Sequence, residues 1–285
     1  MTVKASTKAL CLLGHPVAHS FSPFIHNAIS KSLSLDYVYL AHDIKPDDLE
    51  GAVAGLKTLG YCGTNVTVPH KTKIIPFLDE IRKEAKIIGA VNTISFDNNR
   101  LIGYNTDCYG FQRMLEDENV SLTDKTVLIL GAGGAARAVV AACIMNNTRN
   151  IHICSRNIDK SKAYIKEFKQ HAPINIDWNA ITYTDIFENE HLYDIVVNCT
   201  PLGMHPNEDV MPVDPTGFDK GTVLVDLIYN PHRTKFLKVG EEQGMQVVNG
   251  LGMLIHQALE AYRIWTGQSE TAEFVKQTLA RQGVK

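Results

Sequence analysis

Two hydrophobic periods alternate along most of this chain. Short apolar runs of strand type lie at 9–13 (ALCLL), 37–44 (YVYLAHDI) and 63–68 (GTNVTV), each followed by a stretch with helical spacing. The helical stretches begin at about Pro23, cover 47–60 (DDLEGAVAGLKTLG), and run from about 70 through the eighties. Residues 91–107 (VNTISFDNNRLIGYNTD) alternate as a hairpin, with Asn98 and Asn99 at its turn.

A second series starts after Asp107. Residues 126–145 read as a buried strand, a glycine turn and a helix. The runs 150–156 (NIHICSR), 193–201 (YDIVVNCTP), 222–231 (TVLVDLIYNP) and 245–250 (MQVVNG) follow, apolar without alternation, as parallel strands covered on both faces are. In the last long segment, 252–267, Leu254, Ala258, Ala261, Tyr262 and Trp265 share one helical stripe. The pattern predicts an α/β fold: an N-terminal α/β domain of about a hundred residues and a doubly wound, Rossmann-type dinucleotide-binding domain.

Length and charge narrow the partners. A chain of 285 residues fits two domains. A formal charge of −3 without a basic run argues against nucleic acid. No apolar stretch approaches the ~20 residues that span a membrane, and the N-terminal apolar stretch is too short for a signal peptide. None of the six cysteines forms a CxxC pair, which reads as reduced thiols of a cytoplasmic protein. His15 and His19 have zinc-ligand spacing for a helix, but Pro16 makes the segment a loop and no second ligand cluster accompanies it. No metal site is expected.

The segment after the strand at 126–130 carries cofactor chemistry. Gly131, Gly133 and Ala136 form a G-x-G-x-x-A fingerprint between strand and helix. Gly131 allows the tight turn, Gly133 admits a pyrophosphate to the backbone, and the helix start attracts its charge. The next strand ends in Ser155, Arg156 and Asn157. An arginine there suits the 2′-phosphate of NADP, whereas an acidic residue would suit NAD; Lys160 adds a second cation and Asp159 a competing anion.

The first domain offers a set of polar residues. GTNVTVPHK (63–71) reads as a strand, with Pro69 opening a helix and Lys71 in its first turn. A lysine facing the positive end of a helix is disfavoured as an ammonium, which suits proton exchange near neutral pH. Ser20 and Ser22 precede Pro23 at another helix start. Ser22 reads as its N-cap, and two hydroxyls beside free N–H groups also make a carboxylate site. Asn65 and Thr67 share one face of their strand. Asn92 and Asp107 bound the predicted hairpin, and Gln257 lies at the margin of the last helix stripe.

Together, HSFSP (19–23), GTNVTVPHK, GAVNT (89–93), GYNTD (103–107) and GLGMLIHQ (250–257) resemble the signature segments of the shikimate dehydrogenase family, in that family's order. The resemblance runs almost end to end. It implies a substrate domain of residues 1–107 with 251–285, an NADP-binding domain of 108–250, and a cleft between them that closes on binding. It implies that Ser20 and Ser22 hold the carboxylate of shikimate, and that Thr67, Lys71, Asn92, Asp107, Gln257 and Tyr229 meet the rest of the ring. Cofactor contacts map onto Gly131, Ala132, Gly133, Gly134, Ala135, Ser155, Arg156, Asn157, Lys160, Leu227 and Gly250. NADP-specific members often carry Asn-Arg-Thr where this chain has Ser155-Arg156-Asn157, so use of NAD stays open.

The implied reaction is reversible reduction of 3-dehydroshikimate to shikimate, with Lys71 exchanging the proton and Asp107 orienting it. Two alternatives stand beside it. One is a quinate/shikimate dehydrogenase using NAD or both cofactors. The other is a non-catalytic sensor of a dinucleotide and a cyclic acid, which would have no need of both Lys71 and Asp107.

Overall fold

The computed structural model describes residues 2–98, 100–172 and 175–283. The chain divides into two compact units, Met1–Gly110 with Ile255–Lys285, and Phe111–Leu254.

The first unit opens with β1 (Lys8–Gly14), α1 (Ser22–Ser32), β2 (Tyr37–Asp43), α2 (Leu49–Thr58) and β3 (Gly63–Val66). It continues with β4 (Glu80–Ile81), α3 (Lys83–Ile88), β5 (Thr93–Asp97) and β6 (Arg100–Tyr104). The sheet order is β2-β1-β3-β5-β6-β4. β1 runs parallel to β2 and β3, while β3–β5 and β5–β6 are antiparallel. Leu10 to Leu13 of β1 are buried on both faces, which is why this strand reads as a continuous apolar run. At the β5–β6 turn Asn98 has φ +47, a left-handed conformation that asparagine tolerates. Asn99, the other expected turn residue, lies outside the described residues.

The helix expected from residue 70 onward is not there. Residues 71–74 form turns, Ile75–Phe77 a single 3₁₀ turn, and α-helix begins only at Lys83. Pro76 explains this, since it has no N–H to donate to the Thr72 carbonyl as a continuing α-helix would require. β3 also stops at Val66, although the Thr67 N–H still donates to the Leu13 carbonyl at 2.8 Å. Pro69 has no N–H with which to extend the ladder.

α4 (Thr106–Asp117) carries the chain into the second unit. There follow β7 (Thr126–Leu130), α5 (Gly134–Met145), β8 (Asn150–Cys154), α6 (Ile158–Lys169), β9 (Asp177–Ile181) and α7 (Tyr183–Glu188). β10 (Ile195–Asn198), β11 (Val223–Asp226), α8 (Lys235–Glu242) and β12 (Gln246–Asn249) complete it. All neighbours are parallel, in the order β12-β11-β10-β7-β8-β9. Counted from β7 this is 3-2-1-4-5-6, the dinucleotide-binding order, with its switch point between β7 and β10. β9 escaped the apolar-run reading because it is an edge strand with alternating burial.

α9 (Leu251–Thr266) and α10 (Ala272–Ala280) return to the first unit. Ala258, Ala261 and Tyr262 of α9 are fully buried, as the stripe predicts. A Cβ on Gly63 would lie 2.2 Å from the Trp265 ring, so β3 meets α9 at a distance only glycine allows. The Trp265 indole N–H donates to the Ile94 carbonyl at 2.9 Å.

Candidate active site

Lys71 leaves the turn after β3, and two backbone hydrogen bonds and one from the His70 side chain hold that turn. The Val91 N–H donates to the Lys71 carbonyl at 2.8 Å, and the His70 N–H to the Thr67 carbonyl at 2.9 Å. His70 is fully buried, and its Nε2 lies 2.7 Å from the Ile44 carbonyl, an acceptor, so Nε2 carries the proton. The expectation of Lys71 at a helix start is therefore withdrawn, and with it any influence of a helix terminus on its ammonium.

Its partner instead is a carboxylate. Lys71 Nζ donates to Asp107 Oδ2 at 2.5 Å, with both side chains largely buried. Asn92 Nδ2 donates to Asp107 Oδ1 at 2.8 Å. Asp107 stands in the first turn of α4, where Asn105 Oδ1 accepts its N–H at 3.1 Å and so caps the helix. Asn92 is held in turn: its Oδ1 accepts the Thr106 N–H at 2.8 Å and the Thr93 hydroxyl at 2.9 Å. Lys71, Asn92 and Asp107 thus form one constellation built from a turn, a strand start and a helix start.

The serine pair differs in detail from its expected arrangement. Phe21, not Ser22, occupies the N-cap of α1, and no side chain caps that helix. Ser20 Oγ accepts the Ser22 N–H at 3.2 Å and lies 3.1 Å from Ser22 Oγ. Because Ser20 takes that amide, the helix begins one residue early and Ser22 is relieved of capping. Ser22 lies beside the Tyr39 hydroxyl. Thr67, directly after β3, and Gln257, on α9, are both half-buried in this same unit.

Sequence reasoning passed over several residues that hold this site: Tyr39, Thr93, Asn105, Thr106 and His70. Asn105 and Thr106 carried a capping signal before an apolar helix. The pairings of Tyr39 and Thr93 cross strands and left no mark in the sequence.

In the second unit a pocket of about 390 Å³ opens at the switch point. The Gly131–Gly133 turn lines it, with Gly131 at φ +107. A Cβ on Gly133 would meet no protein atom, so the space before the start of α5 is open to a ligand. Ser155, Arg156, Asn157 and Lys160 line one side. Asn157 also caps α6, its Oδ1 accepting the Asp159 N–H at 2.9 Å. Asp159 does not line the pocket and pairs with Lys162 at 3.7 Å, which removes the anion that competed with Arg156. A dinucleotide with an extra phosphate fits this lining: a glycine turn for the pyrophosphate and two cations for the phosphate.

Tyr183 and residues 199–202 line the pocket without having been expected. The available signal was topological, since the loop after the fourth strand of a doubly wound sheet flanks the crevice. That loop is pinned by Asn198, whose Oδ1 accepts the Thr200 N–H at 2.9 Å and whose Nδ2 donates to Asp226 at 3.1 Å. Asp226 is fully buried, and burial raises its carboxyl to about 6 against the donors Thr234, Ile228 and Asn198. Gly134 and Ala135 form the first turn of α5, outside the pocket lining. Leu227 and Gly250, also outside it, pack tightly at the ends of β11 and β12; a Cβ on Gly250 would lie 2.1 Å from the Leu227 carbonyl oxygen. Tyr229 is half-buried after β11, in the second unit.

Residues 12–94 match the shikimate dehydrogenase substrate binding domain, 113–234 the shikimate / quinate 5-dehydrogenase family, and 250–269 the shikimate 5′-dehydrogenase C-terminal domain. A shikimate dehydrogenase (NADP(+)) of Methanococcus maripaludis strain C7 is 45% identical over 278 residues, covering 96% of each chain. A crystal structure of a shikimate dehydrogenase in complex with NADP+ superposes with TM-score 0.92 at 41% identity, covering 100% of this chain and 98% of that one. A shikimate 5-dehydrogenase from Listeria monocytogenes, in complex with shikimate and NAD, gives TM-score 0.91 at 29% identity over 98% of each chain. The chain belongs to the shikimate dehydrogenase family.

Proposed function

We propose that this chain interconverts 3-dehydroshikimate and shikimate with NADP, and that Lys71 is its general acid and base. The activity is that of an oxidoreductase acting on a CH–OH group, as in its close relatives. The observation that carries the assignment of Lys71 is its hydrogen bond to Asp107, which Asn92 also holds. When bound, the nicotinamide cofactor is the hydride donor and acceptor. In the reducing direction the Lys71 ammonium gives a proton to the C3 carbonyl oxygen, and in the reverse direction Lys71 takes it back. Asp107, with two donors on its two oxygens, keeps Lys71 in place and accepts the neighbouring substrate hydroxyl.

The remaining roles follow from chemistry. Ser20 and Ser22 offer hydroxyls to the substrate carboxylate, while Thr67 and Gln257 serve the ring. We assign the substrate to residues 1–107 with 251–285 and NADP to 108–250. Gly131 to Ala135 take the pyrophosphate, and Arg156 and Lys160 the 2′-phosphate. Six free cysteines suit a reducing compartment, the cytoplasm. Among the described residues no helix is long and apolar enough to cross a membrane.

NAD use is the one second reading with an observation behind it, the NAD complex of the Listeria relative. A steady-state assay of wild type and Lys71→Ala, with shikimate and quinate each against NADP and NAD, tests the whole proposal. Expected are the highest kcat/KM for shikimate with NADP and its collapse in the variant. A Lys71→Ala enzyme with wild-type kcat would refute the role of Lys71. A preference for quinate or NAD would replace the substrate or cofactor.

A further inference from the structure

We infer that Tyr39, on β2 with its hydroxyl beside Ser22, is a positioning residue for Asp107. Its hydroxyl donates to Asn65 Oδ1 at 2.7 Å. Asn65 Nδ2 donates to the Thr93 hydroxyl at 3.0 Å and to the Asn92 carbonyl at 3.2 Å. Thr93 Oγ1 donates to Asn92 Oδ1 at 2.9 Å, and Asn92 Nδ2 donates to Asp107 Oδ1 at 2.8 Å. Tyr39, Asn65, Thr93, Asn92 and Asp107 are all buried.

Backbone groups orient both amides, and distance orients the Thr93 hydroxyl, 2.9 Å from Asn92 Oδ1 against 3.3 Å from Thr106 Oγ1. Two backbone groups have fixed roles: the Thr106 N–H must donate to Asn92 Oδ1, and the Asn92 carbonyl must accept from Asn65 Nδ2. Asn65 Oδ1 therefore faces Tyr39, and Asn65 Nδ2 faces Thr93. The Thr93 hydroxyl, accepting from Asn65, has its own hydrogen left for Asn92. Four side chains point their donors one way, toward the carboxylate that holds Lys71.

Without the Tyr39 hydroxyl, buried Asn65 Oδ1 loses its 2.7 Å donor. Besides the His26 ring, the hydrogen within reach of the Asn65 amide is that of Thr93. If Asn65 turns to take it, Asn92 loses one of its donors and its grip on Asp107 loosens. The Tyr39 ring itself is held independently: Asn27 brackets its backbone N–H and carbonyl at 2.8 and 2.9 Å, and His26 stacks on it at 4.4 Å. Tyr39→Phe therefore removes the hydroxyl and keeps the packing.

The inference rests on the assignment of Lys71 and Asp107, so the experiment carries an Asp107→Asn arm. Purified wild type, Tyr39→Phe, Thr93→Val, Thr93→Ser, the Tyr39→Phe/Thr93→Val pair and Asp107→Asn are compared by steady-state kinetics and thermal melting. Tyr39→Phe and Thr93→Val are expected to lower kcat about 5–20-fold, a part of what a positioned acid–base group supplies, with KM for NADP unchanged. Thr93→Ser keeps the donor and restores kcat. The double variant is expected to match the more affected single variant, because both break one chain. Wild-type kcat in Tyr39→Phe, or losses that multiply in the double variant, would overturn the inference if Asp107→Asn is impaired. Full activity in Asp107→Asn would overturn the underlying assignment instead.

Discussion

Lys71 Nζ and Asp107 Oδ2 stand 2.5 Å apart across 36 residues of chain, joined by no common helix or strand. A turn delivers one and a helix start delivers the other. Lys71→Ala removes the proposed proton donor and should lower kcat roughly 10²–10⁴-fold. Asp107 keeps its Asn92 donor, so the melting temperature should shift little. A large fall in melting temperature with unchanged kcat would make Lys71 structural.

The serine pair leads to a second expectation. Ser20→Ala with Ser22→Ala should raise KM for shikimate and leave KM for NADP alone, since the hydroxyls are proposed to hold the substrate carboxylate. Ser22 caps no helix, so Ser22→Ala alone should cost none of the ~1 kcal/mol of a lost N-cap. Kinetics on both substrates, with melts of the single variants, check both statements. Equal changes in the two KM values would count against the assignment.

Arg156 is the residue proposed to set cofactor choice. Arg156→Ala should weaken NADP by about 1.5–3 kcal/mol, the scale of hydrogen bonds to charged groups, and leave NAD nearly unchanged. Lys160→Ala should act the same way but less, as a flexible point charge. Titration of each variant with both dinucleotides measures this. Tighter binding of NAD than NADP by wild type, unaffected by Arg156→Ala, would make this an NAD enzyme.

His26 sets an acid limit on stability. Its ring is fully buried, stacks on Tyr39, and has no hydrogen bond of normal geometry at either nitrogen. Burial pushes its pKa down to about 3, opposed by nearby Asn65. In the unfolded chain a histidine titrates near 6.5, so as pH falls the unfolded state takes the proton first. The contribution is complete above about 6.5 and is lost progressively toward 3; at pH 5 the loss is about 2 kcal/mol. His26→Phe keeps the stack and should flatten this part of the profile. Urea unfolding at pH 8 and pH 5 is the measurement, and equal acid losses in both proteins would exclude His26 as the cause.

Much of this protein was legible in its residues. The apolar runs of β1, β7, β8, β10 and β11 mark buried parallel strands because both faces must be covered, a demand that falls on every residue of the run. The fingerprint at Gly131 and Gly133 declared its pocket because a strand, a tight turn and a helix start follow each other directly in the chain. Lys71, Asn92 and Asp107 could be singled out as candidates by their motifs. Their meeting could not, because each side chain's partner lies on another element and no local period encodes it. The helix expected after Pro69 failed where Pro76 overrode the apolar spacing, and β9 escaped notice because edge strands alternate. Only the tertiary structure turned Asp159 away from the pocket, brought Tyr183 and residues 199–202 into it, and joined Tyr39 to Asp107 through Asn65, Thr93 and Asn92. Those are decisions of register and sheet order, made by the burial of whole faces rather than by any one segment's own preference.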